Sequence, residues 1–395
     1  MLQWFIEKQK QIGRVFVIVE DVIFLDFQAT TPIDPRVLEY MSSWMGGPYN
    51  AHAHNHQIGR RAEHAIEQAR ERVAHLVGAE PSEITFTSGA TEASNIVLRG
   101  LVSEKDTIVI STVEHPSVST TADELGKRGG QIYRVKVDDT GILDLEHLES
   151  VLNHDTKLVS LMAVNNEIGT IQPLETASLM CAEKQISIHS DLTQAIGKIP
   201  ISLRDMDITY ASMSSHKIYG PQGIGALYVK KDSTRPRALV TGGGQEKGLR
   251  SGTLPVAACV GFGYACELAD KFRENDFNHA TKLTHRFLRG LNGLSGWRVN
   301  GSLDSRIPHN LSISFEQVEA EVLLSTMPKL ALSSGSACQS GSFKGSDTLT
   351  AIGLDDDLSN GAIRIGFGRT TTMNDIDVAV RTIGDRVTTL RTANS

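Results

Sequence analysis

Cysteine is scarce in this chain: four of 395 residues, at positions 181, 259, 266 and 338. They are too few and too scattered for a disulfide scaffold or a zinc ribbon, so a reducing, cytoplasmic setting is the expectation. No stretch reaches the ~18 consecutive apolar residues of a membrane-spanning helix, and no membrane partner is expected. An excess of basic charge is also missing. Lys and Arg total 39 against 46 Asp and Glu, a formal net charge of −7, which argues against broad, backbone-driven nucleic-acid binding. No internal repeat and no long low-complexity linker interrupts the chain. What is present, 40% hydrophobic and 22% charged residues, excludes disordered, collagen-like and coiled-coil classes. The length suits two domains with a large core. Residues 1–24 are locally neutral, and Glu20-Asp21 interrupts their apolar run. That is unlike a secretory or mitochondrial leader, so a strand or an N-terminal arm is expected.

From residue 81 onward, short β-branched runs alternate with helical stretches. Strands are expected at 83–87, 107–111, 132–137, 158–164, 186–191, 208–213 and 225–229, mostly as near-continuous apolar runs that indicate burial on both faces. Helices are expected at 90–102, 121–128, 143–152 and 174–184. The stretch 60–77 is amphipathic, with Ala62, Ile66, Ala69, Val73 and Leu76 on one face and Gly78 as its stop. After residue 261 the texture changes. A helix at 265–289, strands at 310–315 and 362–367 and a last helix at 375–391 read as a smaller α+β domain.

Four segments carry chemistry. Ser214-Ser215-His216-Lys217-Ile218-Tyr219-Gly220-Pro221-Gln222-Gly223 follows a buried strand. Ligands of open α/β sheets sit at the carboxyl ends of strands, where a desolvated lysine is placed to form a Schiff base with a carbonyl cofactor; a surface lysine in a loop is the alternative. Thr87-Ser88-Gly89-Ala90-Thr91-Glu92 offers N–H groups and hydroxyls to a phosphate at a helix start, or simply caps that helix. Asp191, at a strand end, either pairs with a pyridinium nitrogen or caps the next turn. From 333 to 346, six Ser and three Gly fill nine of fourteen positions, so an exposed loop is expected around Cys338. Cys181, Cys259 and Cys266 sit in apolar surroundings, as inert thiols do.

With these residues stand Leu25-Asp26-Phe27-Gln28-Ala29-Thr30-Thr31-Pro32, Glu114-His115, Val164-Asn165-Asn166-Glu167-Ile168-Gly169, Asp191-Leu192-Thr193-Gln194, the Gly-rich stretch 242–253, Ser333-Ser334-Gly335-Ser336-Ala337-Cys338 and Arg364-Ile365-Gly366-Phe367-Gly368-Arg369. In order and spacing, the chain resembles the cysteine desulfurases of the NifS/IscS-like group, pyridoxal-phosphate (PLP) enzymes of aminotransferase class V and fold type I. The resemblance implies an α/β fold, with a large PLP-binding domain (25–261) built on a mostly parallel seven-stranded sheet between helices. A small α+β domain (1–24 and 262–395) would carry the cysteine loop and the substrate arginine. It implies conversion of L-cysteine to L-alanine, with sulfane sulfur transferred to Cys338 as a persulfide and delivered to an acceptor protein. Iron–sulfur assembly, tRNA thiolation and DNA phosphorothioation are the candidate destinations.

The implied roles follow residue by residue. Lys217 would hold PLP and move protons at the substrate Cα. Asp191 would pair with the pyridine nitrogen, and His115 would lie against the ring as an acid/base. Asn166 and Gln194 would reach the ring oxygen; Ala90, Thr91, Ser214 and His216 would grip the phosphate. Thr253 would reach it from the neighbouring subunit of a homodimer. Arg364, with Asn166, would bind the substrate carboxylate. No mononuclear metal site is implied, although Cys338 could ligate a cluster during transfer. The long Ser/Gly-rich cysteine loop marks the subgroup that delivers sulfur directly. Another PLP lyase of the same fold and a silent paralogue are the competing readings. Two departures from the group are visible. Asn50-Ala51-His52-Ala53-His54-Asn55-His56 replaces the usual Pro/Ser loop and is read as a loop near the substrate mouth. The chain also ends at Ser395, without the longer tail of housekeeping members, and both features lean towards a specialised acceptor.

Overall fold

All seven apolar runs enter one sheet. The computed structural model describes residues 22–335 and 346–394. After a two-residue β1 (Ile23–Phe24), the strands are β2 (Ile84–Thr87), β3 (Thr107–Ser111), β4 (Gln131–Val135), β5 (Thr156–Ser160), β6 (Ser187–Asp191), β7 (Tyr210–Ser214) and β8 (Gly225–Val229). Their spatial order is β2-β8-β7-β6-β5-β3-β4. The pairs from β4 through β7 are parallel, and β8 runs antiparallel to both β7 and β2. Strands β3 and β7 are buried along their whole length because helices cover both faces; β4, at the edge, is largely exposed. Beyond β5 the chain stays alongside β6, with the N–H groups of Leu161 and Ala163 donating to the carbonyls of His189 and Asp191, each at 3.0 Å. This carries Met162, Val164 and Asn166 past the sheet's carboxyl edge.

The amphipathic stretch forms the helix Gln57–Leu76, started by His56, whose Nδ1 accepts from the Gly59 N–H at 3.0 Å. Gly78 ends it with φ +66°, a conformation that costs a residue bearing Cβ. Two helices begin well before their sequence pattern suggests, by five and nine residues. Pro116–Lys127 starts at its proline with His115 as cap, through a polar first turn that hides the periodicity. Val256–Gly290 starts nine residues before the expected 265. Gly261 and Gly263 are packing positions: a Cβ on Gly263 would fall 2.5 Å from Ala69 Cα, and one on Gly261 2.5 Å from the Met41 side chain.

That long helix is continuous through residue 261, where the sequence division of the chain falls. Its first half (Val256, Cys259, Val260, Phe262, Ala265, Cys266) joins the core under the large sheet. Its second half (Leu283, Phe287) joins a separate core with Leu25, Ile313, Phe315, Ile363, Ile365 and Ile376. The second core lies on an antiparallel sheet of order β12-β13-β10-β9, made of β9 (Trp297–Asn300), β10 (Asn310–Phe315), β12 (Ser333–Ser334) and β13 (Ala362–Gly366). β11 (Leu330–Ala331) pairs in parallel with β1; residues 1–21 of the expected strand or N-terminal arm lie outside the described residues.

Candidate active site

The parallel strands deliver their following loops to one cavity of about 710 Å³. Ser88–Glu92 reaches it after β2, His115 after β3, Asn166 after β5, Asp191 and Gln194 from the end of β6, and Ser214, His216 and Lys217 after β7. The second sheet closes it with Arg364 from β13 and Ser333 from β12, and the segment after β1 adds Asp26 and Gln28.

Lys217 Nζ donates to the backbone carbonyls of Gln28 and of Ala29, the latter at 2.9 Å. Asp191 is buried at 5% exposure, and its Oδ1 accepts from the Thr193 N–H at 2.9 Å. His115 accepts at Nδ1 from the Ser117 N–H (3.1 Å), which leaves the proton of the neutral ring on Nε2. Burial lowers its pKa; the Asp191 carboxylate opposes this, while Lys217 and Arg364 reinforce it. Burial also holds the His216 imidazole down at about 4, with Nδ1 3.0 Å from Thr30 Oγ1.

The helix Ala90–Leu101 opens on the cavity with Gly89 as its N-cap and no side-chain cap, so its first N–H groups face a volume suited to an anion. Glu92, in the first turn, also lines the cavity, but its carboxylate is already engaged. It accepts from the Ser88 N–H (2.6 Å) and from Arg250 Nε (2.9 Å), and these bonds outweigh burial and lower its pKa.

Arg364 donates from Nη2 to Asp26 Oδ1 (2.9 Å) and from Nη1 to the Asn166 carbonyl (3.3 Å). Its Nε is buried without a hydrogen-bond partner among the described residues. Burial lifts the carboxyl of Glu114, next to His115 in the chain, to about 8, despite bonds from the Met162 N–H and Ser111 Oγ.

Of the residues singled out in the sequence, Ala90, Thr91, His115, Asn166, Asp191, Gln194, Ser214, His216, Lys217 and Arg364 all line this cavity. Thr253 does not; it is exposed. Cys338 lies outside the described residues. None of the three alternate histidines lines the cavity. His56 caps its helix, while His52 and His54 border a second cavity of about 320 Å³ with Glu63, Arg70 and Glu246. Asp26 and Gln28 stood in a matching stretch without an assigned role, and Lys198 went unnoticed. The only local signal for Lys198 is its spacing of four residues from Gln194.

The donor set fits pyridoxal phosphate. An amine stands ready for the carbonyl, a buried carboxylate for a ring nitrogen, and an uncapped helix start with Ser214 and His216 for the phosphate. A buried guanidinium with an N–H unpartnered among the described residues remains for a substrate carboxylate.

Residues 23–378 match the aminotransferase class-V family. A protein described as cysteine desulfurase IscS, from Rickettsia bellii (strain OSU 85-389), is 44% identical over 376 residues, 93% of this chain and 92% of its own. The chain belongs to the aminotransferase class-V family, and within it to the cysteine desulfurases. A solved structure titled NIFS-like protein superposes with a TM-score of 0.87 at 36% identity, covering 93% of this chain and 100% of that one. Another, titled SspA in complex with cysteine, gives a TM-score of 0.78 at 32% identity over 88% and 99% of the two chains. Pyridoxal 5'-phosphate is the cofactor of this class.

Proposed function

We propose that the protein converts L-cysteine to L-alanine and passes the sulfur to Cys338 as a persulfide, for delivery to an acceptor protein. The observation that carries the reading is the meeting of Lys217, Asp191, His115 and Arg364 on one cavity beside an uncapped helix start. Bound PLP supplies an electron sink for the pair left at Cα when its proton is removed. Lys217 holds the cofactor and carries that proton. Asp191 keeps the ring nitrogen protonated, and the half-buried, neutral His115 exchanges protons with the reacting groups. Asn166 and Gln194 face the ring oxygen; Ala90, Thr91, Ser214 and His216 hold the phosphate. Arg364 binds the amino-acid carboxylate.

The Cys338 thiolate attacks the substrate sulfur. An S–S bond forms as the Cβ–S bond breaks, the electron pair stays on carbon, and proton return gives alanine. Thr253, exposed in the single chain, acts from the partner of a homodimer. The buried free thiols Cys181, Cys259 and Cys266 suit a reducing cytoplasm. The acceptor belongs to iron–sulfur assembly, tRNA thiolation or DNA phosphorothioation.

The test is purified holoenzyme given L-cysteine and a thiol reductant, with alanine and sulfide quantified. They should appear in equal amounts. Cys338→Ser should keep the coloured cofactor and release no alanine, whereas wild-type alanine release by this variant would place the sulfur acceptor elsewhere.

A further inference from the structure

Lys198 is a buried lysine for which neither the motifs nor the proposed chemistry has a use. It is 8% exposed, and its Nζ lies 2.6 Å from Oε1 of Gln194, itself 3% exposed. Gln194 Nε2 in turn donates to the Gln28 carbonyl (3.1 Å), the same carbonyl that receives Lys217 Nζ. One chain of contacts therefore runs from Lys198 through Gln194 to the seat of the cofactor lysine.

We propose that Lys198 is a positioning residue: by donating to Gln194 Oε1 it fixes which edge of the amide faces the cavity, and so presents an N–H to the cofactor's ring oxygen. This deepens the reading that places Gln194 at that oxygen. The two edges of a carboxamide are nearly alike in shape but opposite in hydrogen-bonding sense, and an ammonium only donates. Oε1 is thus tied to Lys198, and Nε2 carries two hydrogens. One goes to Gln28; the other is left for the cavity that Gln194 lines. The flipped amide would set oxygen against oxygen.

An apolar side chain would fill the same space without the cost of a buried amine. That cost is visible: burial, with Lys217 and Arg364, lowers Lys198 to about 7, so it is below that pH, as an ammonium able only to donate, that Lys198 sets the amide. The other titratable groups that feel Lys198 are His216 and His309. Tyr219, Asp276 and Arg369 share with Lys198 a cavity of about 20 Å³.

The test is a pH titration of the visible band of the bound cofactor in purified holoenzyme, for wild type, Lys198→Met, Gln194→Ala and the double variant. Removing the oriented N–H should move the midpoint by about one pH unit, a tenfold change in the protonation constant. Lys198→Met should shift it as Gln194→Ala does, and the double variant should shift it no further than Gln194→Ala alone. Additive shifts would mean that Lys198 acts only as a charge, and an unshifted Lys198→Met would mean that it only fills space; either overturns the proposal. If Lys198→Met fails to load cofactor, Lys198→Arg decides. A wild-type midpoint supports the proposal, and a midpoint shifted like that of Gln194→Ala overturns it. A colourless wild-type protein that makes no alanine would instead defeat the desulfurase reading.

Discussion

Two buried arginines show how differently the same ion can be used. Arg70, on the helix Gln57–Leu76, is saturated in the sense that each of its three nitrogens has an acceptor. Nη1 and Nη2 each meet a Glu246 oxygen at 2.8 Å, Nη1 also donates to the Ile84 carbonyl, and Nε donates to Glu67 at 3.1 Å. Glu246 is 2% exposed and also accepts the Phe86 N–H at 2.7 Å. Burial works against the Arg70 charge, but Glu246 outweighs it and raises the pKa. Arg364 is buried more deeply, at 3% exposure against 10% for Arg70, yet its nearest carboxylate takes only one of its nitrogens and its Nε has no partner among the described residues. A saturated guanidinium holds a fold together. An unsaturated one, buried at the edge of a cavity, has capacity in reserve for a ligand carboxylate.

The largest effect should come from breaking the saturated pair. Arg70→Met leaves Glu246 charged, buried and unpaired, a situation that costs about 3–5 kcal/mol. Urea denaturation should show that loss, while kcat/KM of the molecules that remain folded stays close to wild type. A variant as stable as wild type would show that the pair is no strut. Arg364→Ala should behave in the opposite way. Its unfolding midpoint should move little, but kcat/KM for cysteine should fall by about 30- to 1000-fold, the ~2–4 kcal/mol of a buried charged contact to substrate. An unchanged kcat/KM would remove Arg364 from substrate binding.

The contrast also explains what could be read from the sequence. The seven strands of the large sheet were legible because burial on both faces writes a continuous apolar run, as in Ile108–Ile110 of β3. Lys217 and Asp191 were legible because strand ends are where such sheets keep their ligands. The starts of the helices at Pro116 and Val256 were not. One opens with a polar turn, and the other carries glycines whose use depends on Met41 and Ala69, far away in the chain. The supporting residues of the site were illegible for the same reason. Asp26 meets Arg364 across 338 residues, and Gln28 meets His309 across 281. No local pattern announces such a partner. Thr253 goes one step further, since its proposed target belongs to another copy of the chain.

The smallest effect concerns Asp26. Its Oδ1 holds Arg364 Nη2 and its Oδ2 accepts from Ser333 Oγ at 2.6 Å, so the carboxylate orients Arg364 but also competes for its charge. Asp26→Asn keeps the shape and one accepting oxygen towards Arg364, while the new amide can donate to Ser333 Oγ. What disappears is the negative charge next to the place where a substrate carboxylate must bind. The KM for cysteine should therefore fall by about three- to fivefold, under 1 kcal/mol, with the unfolding midpoint unchanged. Were Asp26 a strut of the Glu246 kind, the same substitution would leave KM alone and lower stability. The two outcomes cannot be confused, because the charge is removed without removing volume.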